Sequence, residues 1–228
     1  MTLNLFVLAL SIFSISIFLF KRGTDANLGD VFRKCIASLS VVLIALSALR
    51  FNSDGISAYI TAGLVFGMLG DIFLDLKYAY KQDEKNFLYA GIFAFSLGHL
   101  CYGWGIAKDG NLFSLIPILI VCAFFIITLI LTVVIEERTK LDYGDYRPLI
   151  VLYSSVISIP LTASIMTLLL NPSEASALRA VAMIGFFISD LILSFIYFKE
   201  GSTNKGKVLL NHLFYYLAQL CFAISLYV

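Results

Sequence analysis

The sequence predicts an all-α polytopic membrane protein, a single domain built as a bundle of eight transmembrane helices. Of its 228 residues, 60% are apolar and only 14% are charged, which is outside the usual composition of a soluble domain. A helix needs about 20 mainly apolar residues to cross a bilayer. The chain has eight such runs, at about residues 2–20, 31–50, 56–76, 87–107, 112–135, 147–170, 175–198 and 208–227.

The placement of positive charge predicts how these helices are oriented. The connections after helices 1, 3, 5 and 7 carry 13 of the 16 Lys and Arg residues, and the other connections carry Arg50, Lys108 and Arg179. Cytoplasmic loops are enriched in Lys and Arg, so the odd-numbered connections are expected in the cytoplasm and both termini on the opposite side. The net charge of +1 does not indicate a nucleic acid partner.

The first three helices differ in polarity. Helix 1 is apolar and has no basic stretch before it, so we expect a retained packing helix rather than a signal peptide. Helix 2 carries Lys34 about one turn inside its cytoplasmic end, where the ammonium either reaches the headgroups or pairs with a buried aspartate or a lipid phosphate. Helix 3 places Asp71 and Asp75 on one face, with Gly67 one turn earlier. Burying an aspartate at membrane depth costs on the order of 2.5–3.5 kcal/mol, so this face should meet protein or water.

Helices 4 to 6 combine one polar pair with an apolar scaffold. His99 and Tyr102 share one face of helix 4, either as satisfied core residues or as part of a site. Helix 5 is aliphatic and aromatic and is expected to face lipid. Helix 6 contains Tyr153 and Pro160, and a proline at this depth should kink the helix and leave a cavity beside it. The charged connection at residues 77–86 is expected to be a solvated turn without a chemical role.

The last two helices add an isolated acid and a polar stripe. Asp190 in helix 7 has no charged neighbour within a turn, so its partner must come from another helix. Helix 8 carries polar side chains at i, i+3, i+4 and i+7, namely His212, Tyr215, Tyr216 and Gln219. A stripe of this kind more often lines the interior of a bundle than faces lipid.

These polar residues are predicted to form one site in the cytoplasmic half of the bilayer. At about 1.5 Å of rise per residue, compatible depths are expected for Lys34, Asp71, Asp75, Asp190, His212 and Tyr215. Of the two acids in helix 3, Asp75 should lie closer to the headgroups. His99 and Tyr102 lie near the midplane or beyond, where they would form the floor of a cavity.

Acid–base catalysis by paired carboxylates is the chemistry that remains when metal sites and the common catalytic motifs are set aside. Two histidines on different helices make a poor metal site, and the four cysteines lack C-x-x-C spacing. The chain has no G-x-S-x-G, H-E-x-x-H or P-loop sequence. In a low dielectric, one acid of a pair stays protonated and the other ionised, which suits acid–base catalysis through a cationic transition state without metal or cofactor.

A pattern of residues in a fixed order runs from helix 2 to helix 8. It comprises Lys34 and Cys35, Gly70 and Asp71, Gly91, Phe95, His99 and Tyr102, Tyr153, the FFISD sequence ending at Asp190, and YYLAQ at 215–219. In these positions the chain resembles the YhhN family of multispanning membrane proteins, which includes the animal lysoplasmalogenases. Asp75 and His212 lie outside the pattern, so the resemblance favours Asp71 and Asp190 as the catalytic pair.

The resemblance implies hydrolysis of the vinyl ether bond of lysoplasmalogens to a fatty aldehyde and glycerophosphocholine or glycerophosphoethanolamine, in parallel with two-carboxylate glycoside chemistry. The partner is then a lysophospholipid within the bilayer. The resemblance and the expected depth of the polar residues in the bilayer together predict the substrate contacts. These candidates are Lys34, Asp75, His99, Tyr102, Tyr153, His212, Tyr215, Tyr216 and Gln219. Two alternatives stay open. One is a transporter or lipid-binding protein in which Asp71 and Asp190 take protons or cations, and the other is a hydrolase or isomerase for another ether or ester lipid.

The orientation can be tested with single cysteines in a chain that lacks its native ones. A cysteine replacing Glu137 should not react with an impermeant thiol reagent outside intact cells, because the connection at residues 136–147 is expected in the cytoplasm. The matched control, a cysteine replacing Asn111, should react without lysis. Labelling of the first position in intact cells would contradict the orientation.

Overall fold

The computed structural model describes residues 5–50 and 55–228, which form eight α-helices and, within these ranges, no strand. The all-α prediction is therefore confirmed for the described residues. The helices are α1 (Leu5–Lys21), α2 (Leu28–Leu49), α3 (Gly55–Ala79), α4 (Glu84–Asp109), α5 (Leu115–Thr139), α6 (Arg147–Leu170), α7 (Glu174–Phe198) and α8 (Lys205–Ile224). Short 3₁₀ turns at Lys81–Asp83 and Gly144–Tyr146 precede α4 and α6.

Seven of these helices, α2 to α8, are long and apolar enough to cross a membrane. The chain is thus an integral membrane protein by length and composition of its helices. Helix α1 is shorter, at 17 residues in the described part of the chain. The eighth crossing and the side on which the termini lie stay predictions.

The start of α2 is fixed by a capping box. The side chain of Asn27 accepts a hydrogen bond from the Asp30 N–H at 3.0 Å, and the Asp30 carboxylate accepts one from the Asn27 N–H at 3.1 Å. Arg33 then pairs with Asp30 at 2.7 Å. This reciprocal cap satisfies N–H groups that the first helical turn leaves unpaired, and it sets the position of Lys34 one turn further on.

Helices α3 and α4 pack more extensively on each other than any other pair. Glycine makes this approach possible: a Cβ atom added to Gly63 would lie 2.2 Å from the ring of Tyr102, and one added to Gly91 would lie 2.5 Å from Leu74. Small residues at a helix interface let the backbones approach closely. The contact fixes α3, and with it both of its aspartates, against the centre of the bundle.

The apolar core lies between α2, α3, α4, α7 and α8, with Phe18 of α1 fully buried beside them. Helix α5 lies outside this core and packs on α6. Its buried residues are Pro117 and Thr132, and most of its apolar side chains are exposed on the outer surface. This agrees with the expected lipid-facing scaffold, since lipid solvates apolar side chains that water would not.

The structure corrects one local expectation, and it describes the surroundings of Pro160, whose kink stays a prediction. The segment at residues 77–86 is not wholly a solvated turn, because α3 continues to Ala79 and Lys77 is buried with its ammonium 3.4 Å from the centre of the Tyr197 ring. Pro160 is buried within an α6 that runs on to Leu170 and packs close to Gly103. Pro160 lines neither of the two cavities described below.

The α3–α4 contact predicts that Gly63→Ala lowers the thermal stability of the protein in detergent. Tyr102 is 2% exposed and stacks on Phe222 with ring centres 4.2 Å apart, so its ring has no free space to move into. We expect a loss of about 1–3 kcal/mol from overpacking.

Gly67→Ala is the matched control for this change. Its added Cβ would lie 3.4 Å from Tyr215 and Gln219, at the ends of side chains, and both variants gain the same helix propensity. Melting temperatures that rank Gly63→Ala at or above Gly67→Ala would contradict the close approach.

Candidate functional site

Lys34 lies between the two buried aspartates of α3. Its ammonium is 3.2 Å from Oδ1 of Asp71 and 3.7 Å from Oδ1 of Asp75. Both carboxylates are 1% exposed and Lys34 is 5% exposed, so all three charges lie inside the protein. The sequence left several environments possible for the Lys34 ammonium, and the structure shows that it pairs with buried aspartates.

The second carboxylate oxygen of Asp71 is held by hydroxyl groups. Oδ2 accepts hydrogen bonds from Ser38 at 2.6 Å and from Tyr215 at 2.8 Å. Gln219 donates to the Tyr215 oxygen at 2.6 Å, and the hydroxyl groups of Tyr216 and Ser38 are 3.2 Å apart. The polar stripe of α8 therefore lines the bundle interior, as predicted, and its tyrosines fix the orientation of Asp71.

Asp75 is held by a residue that sequence reasoning assigned to a loop. Nη2 of Arg22, just after α1, donates to Asp75 Oδ1 at 3.1 Å, and Arg22 is 5% exposed. Asp75 is as buried as Asp71 and lies one turn closer to the end of α3 at Ala79; that it lies nearer the headgroups stays a prediction. Ser38 was also missed; its position one turn after Lys34 on α2 is the signal that points to it.

Asp190 belongs to a second cluster, with partners from other helices as predicted. Tyr153 of α6 donates its hydroxyl proton to Asp190 Oδ2 at 2.6 Å. Nε2 of His99, on α4, is 3.2 Å from the Tyr153 oxygen and 3.9 Å from Asp190 Oδ2. Because the single Tyr153 proton goes to Asp190, the Tyr153 oxygen accepts from the His99 Nε2–H. The three groups form a hydrogen-bonded chain that ends at the carboxylate.

Both aspartates of the predicted pair line one small polar cavity at the Lys34 end of the bundle. Its other polar lining residues are Arg22, Thr24, Lys34, Tyr78, Ser189, Tyr197, Asn211, His212 and Tyr215. His212 turns its Nδ1 to the Val208 carbonyl, 2.7 Å away. The structure thus brings together residues from α2, α3, α7 and α8 that the sequence placed at compatible depths.

A second cavity is apolar and larger than the polar one, with a volume of about 160 Å³. It lies among α4, α5, α6 and α7, and its walls are mainly aliphatic and aromatic side chains such as Leu88, Ile92, Leu131 and Ile157. Asp190 lines both this cavity and the polar one. The carboxylate is 22% exposed and therefore stands at the boundary between a polar and an apolar space.

The candidate substrate contacts divide into two groups. Lys34, His212 and Tyr215 line the polar cavity and Tyr153 lines the apolar one. Four others lie behind these walls and contact the lining residues: Asp75, His99, Tyr216 and Gln219. Tyr102 contacts His99 and Phe186, which line neither cavity. Tyr102 does not form a cavity floor with His99; its ring stacks on Phe222 and fills the space beside Gly63.

Comparison with known proteins gives one positive finding. The model of the YhhN family matches residues 31–226 of this chain, which is most of its length. The comparison with curated proteins gave no match, and the comparison with solved structures gave none either. Arg22, which holds Asp75, lies before the matched residues.

The position of Lys34 predicts that Lys34→Met strongly destabilises the protein. Removing one partner of a buried ion pair leaves an uncompensated charge, which costs about 3–5 kcal/mol. Combining it with Asp71→Asn should recover much of the loss, because the charge left without its cation is then removed. Thermal unfolding in detergent measures both effects.

The matched control is Lys81→Met, at an exposed position of the 3₁₀ turn, which should leave the melting temperature unchanged. A Lys34→Met protein as stable as the wild type, or one that Asp71→Asn fails to rescue, would show that Lys34 does not balance the aspartates.

Proposed function

The chain belongs to the YhhN family, and from that premise we propose that it is a membrane hydrolase of the lysoplasmalogenase type. Its substrate is a lysoplasmalogen, in which a vinyl ether joins a hydrocarbon chain to a glycerophospho headgroup. Its products are a fatty aldehyde and glycerophosphocholine or glycerophosphoethanolamine.

The observation that carries this proposal is the location of Asp190 at the boundary of the two cavities. In a lysoplasmalogen the vinyl ether lies at the point where the apolar chain meets the polar glycerol. With the chain in the apolar cavity and the headgroup in the polar one, that bond lies next to Asp190. Asp71 lines the polar side.

The surroundings of the two aspartates support different roles for them. Asp71 receives the Lys34 ammonium and two hydroxyl donors, all of which stabilise its carboxylate form. Asp190 receives one phenol hydroxyl and has no ammonium or guanidinium within 4.0 Å among the described residues. Asp190 is therefore the acid and Asp71 the base.

The steps balance with these two groups. Asp190 gives its proton to the vinyl carbon that is not bonded to oxygen, which produces an oxocarbenium ion. Water adds to the carbon bonded to oxygen while Asp71 takes a proton from it, giving a hemiacetal. The ether oxygen then takes the proton back from Asp71 as the carbon–oxygen bond breaks, and the hemiacetal hydroxyl returns a proton to Asp190. Aldehyde and headgroup alcohol leave with both acids in their starting states.

The shape of the polar cavity favours hydrolysis over transport. Transport needs a path to both membrane faces. The cavity is lined by residues at one end of the bundle, from the start of α2, the second halves of α3 and α7, and the start of α8. Phe95 of α4 also lines it. At the opposite end, Arg179 is buried and paired with Asp109 at 2.6 Å, and neither residue lines either of these two cavities.

The proposal is tested by aldehyde release from an alkenyl lysophospholipid by protein purified in detergent. Asp71→Asn and Asp190→Asn should each lower turnover by about 10²-fold or more, because each removes one proton-transfer role. The asparagine side chains keep the shape of the site, and in Asp71→Asn the Lys34 ammonium keeps its contact with Asp75.

Asp109→Asn is the matched control, since it makes the same acid-to-amide change at the opposite end of the bundle and should keep turnover. The saturated ether analogue should give no aldehyde because it has no carbon that accepts a proton. Wild-type turnover in both site variants would overturn the mechanism, and no aldehyde from the wild type would overturn the function.

A further inference from the structure

Arg22 carries hydrogen-bond donors that nothing in the described part of the chain uses. Its Nη2 binds Asp75, whereas Nε and Nη1 are buried and have no hydrogen-bond partner among the described residues. The side chain is 4% exposed and lines the polar cavity. A buried donor without a partner costs about 1–3 kcal/mol, and a donor of a charged group costs more. An acceptor that enters the cavity and binds these donors would therefore be favoured.

The neighbouring cations are engaged differently. Lys34 is shared by Asp71 and Asp75, which occupy its ammonium. Lys77 is buried beside the cavity, against the rings of Tyr78 and Tyr197, and forms no ion pair within the described residues. Arg22 also lies over the Tyr78 ring, at 5.9 Å from its centre. Arg22 and Lys77, which have donors that no acceptor in the described residues uses fully, therefore both lie near the ring of Tyr78, a residue that lines the cavity.

The positions of Arg22 and Lys77 along their helices fit an acceptor that comes from the lipid headgroups. Arg22 follows the last residue of α1, and Lys77 precedes the last residues of α3, so both lie at the helix ends on the Asp75 side of the bundle. Lipid phosphates lie at this level of a bilayer, just outside the hydrocarbon. Guanidinium groups bind phosphate oxygens through charge-assisted hydrogen bonds.

We propose that Arg22 anchors a phosphate-binding subsite at the mouth of the polar cavity, which takes the headgroup phosphate of the lysophospholipid, with Lys77 as a second cation. Lys34 then acts as the counter-ion of the aspartates and not as the phosphate ligand. The assignment of the bound phosphate to the substrate headgroup rests on the proposed function. The binding of a phosphate group by Arg22 does not. Arg22 lies before the residues that the family model matches, and Lys77 lies within them.

The first test is equilibrium binding of glycerol 3-phosphate to purified protein, with glycerol as the phosphate-free probe. The wild type should bind glycerol 3-phosphate saturably and glycerol not at all. Arg22→Gln should weaken binding about tenfold or more, as expected for the loss of charge-assisted hydrogen bonds. The matched control is Arg179→Gln, which removes an equally buried arginine with its own carboxylate partner and should bind like the wild type.

A second variant keeps the test decisive if Arg22→Gln does not fold. Arg22→Lys retains the charge opposite Asp75 but loses the planar set of donors, so it should bind glycerol 3-phosphate several-fold more weakly than the wild type. Wild-type affinity in Arg22→Lys, or in a folded Arg22→Gln, would overturn the subsite. Inorganic phosphate that binds as tightly as glycerol 3-phosphate and does not compete with the lysophospholipid would overturn the headgroup assignment.

Activity separates this inference from the proposed function. Arg22→Gln should raise KM for the alkenyl lysophospholipid about tenfold more than it raises KM for the phosphate-free 1-alkenylglycerol, because only the first substrate carries a phosphate. Arg22-dependent phosphate binding without aldehyde release would support the subsite and overturn hydrolysis. Aldehyde release with the same KM in Arg22→Gln would support hydrolysis and overturn the subsite.

Discussion

The contact on which the rest of the structure depends is that of the Lys34 ammonium with the carboxylates of Asp71 and Asp75. Charges in a low-dielectric interior are tolerated when they are paired and hydrogen-bonded. Here two acids are stabilised by one lysine, one arginine and two hydroxyl groups from different parts of the chain. This shared network ties the end of α1 and the start of α2 to α3 and α8, and it holds Asp71 in one orientation.

Asp71 and Asp190 differ in how many hydrogen-bond donors their carboxyl groups receive. Asp71 is surrounded by donors and has 2% of its side chain exposed, whereas Asp190 has one close donor and 22% exposure. A carboxyl group that accepts several hydrogen bonds is held in one orientation, and one with a single donor beside an open space is free to exchange a proton with a ligand. This asymmetry supports the different roles proposed for the two acids.

The sequence predicts the helices and the inward polar stripe of α8 because these depend on local periodicity and on the cost of buried charge. For Lys34 it gives pairing with a buried aspartate as one of several environments. It does not predict Arg22 or Lys77 as buried residues, because a basic residue at a helix end has the same local pattern whether it faces solvent or folds inward. The partners of Asp190 depend on how α4 and α6 are rotated about their axes. Apolar residues lie on nearly all sides of these two helices, so their sequences do not fix that rotation. The cavities depend on gaps between helices, for which a single sequence contains no direct signal.

The order of the charged partners along the chain has a consequence for how the protein enters the membrane. Arg22 and Lys34 precede Asp71 and Asp75, and His99 and Tyr153 precede Asp190. Membrane proteins are made from the N-terminus, so each acidic segment leaves the ribosome when groups that stabilise it are already present. Helix α3, with two aspartates, is a poor candidate for insertion by itself. It can instead partition into the bilayer together with α1 and α2 as one neutralised unit, which makes the assembly of the first three helices a cooperative step in biogenesis.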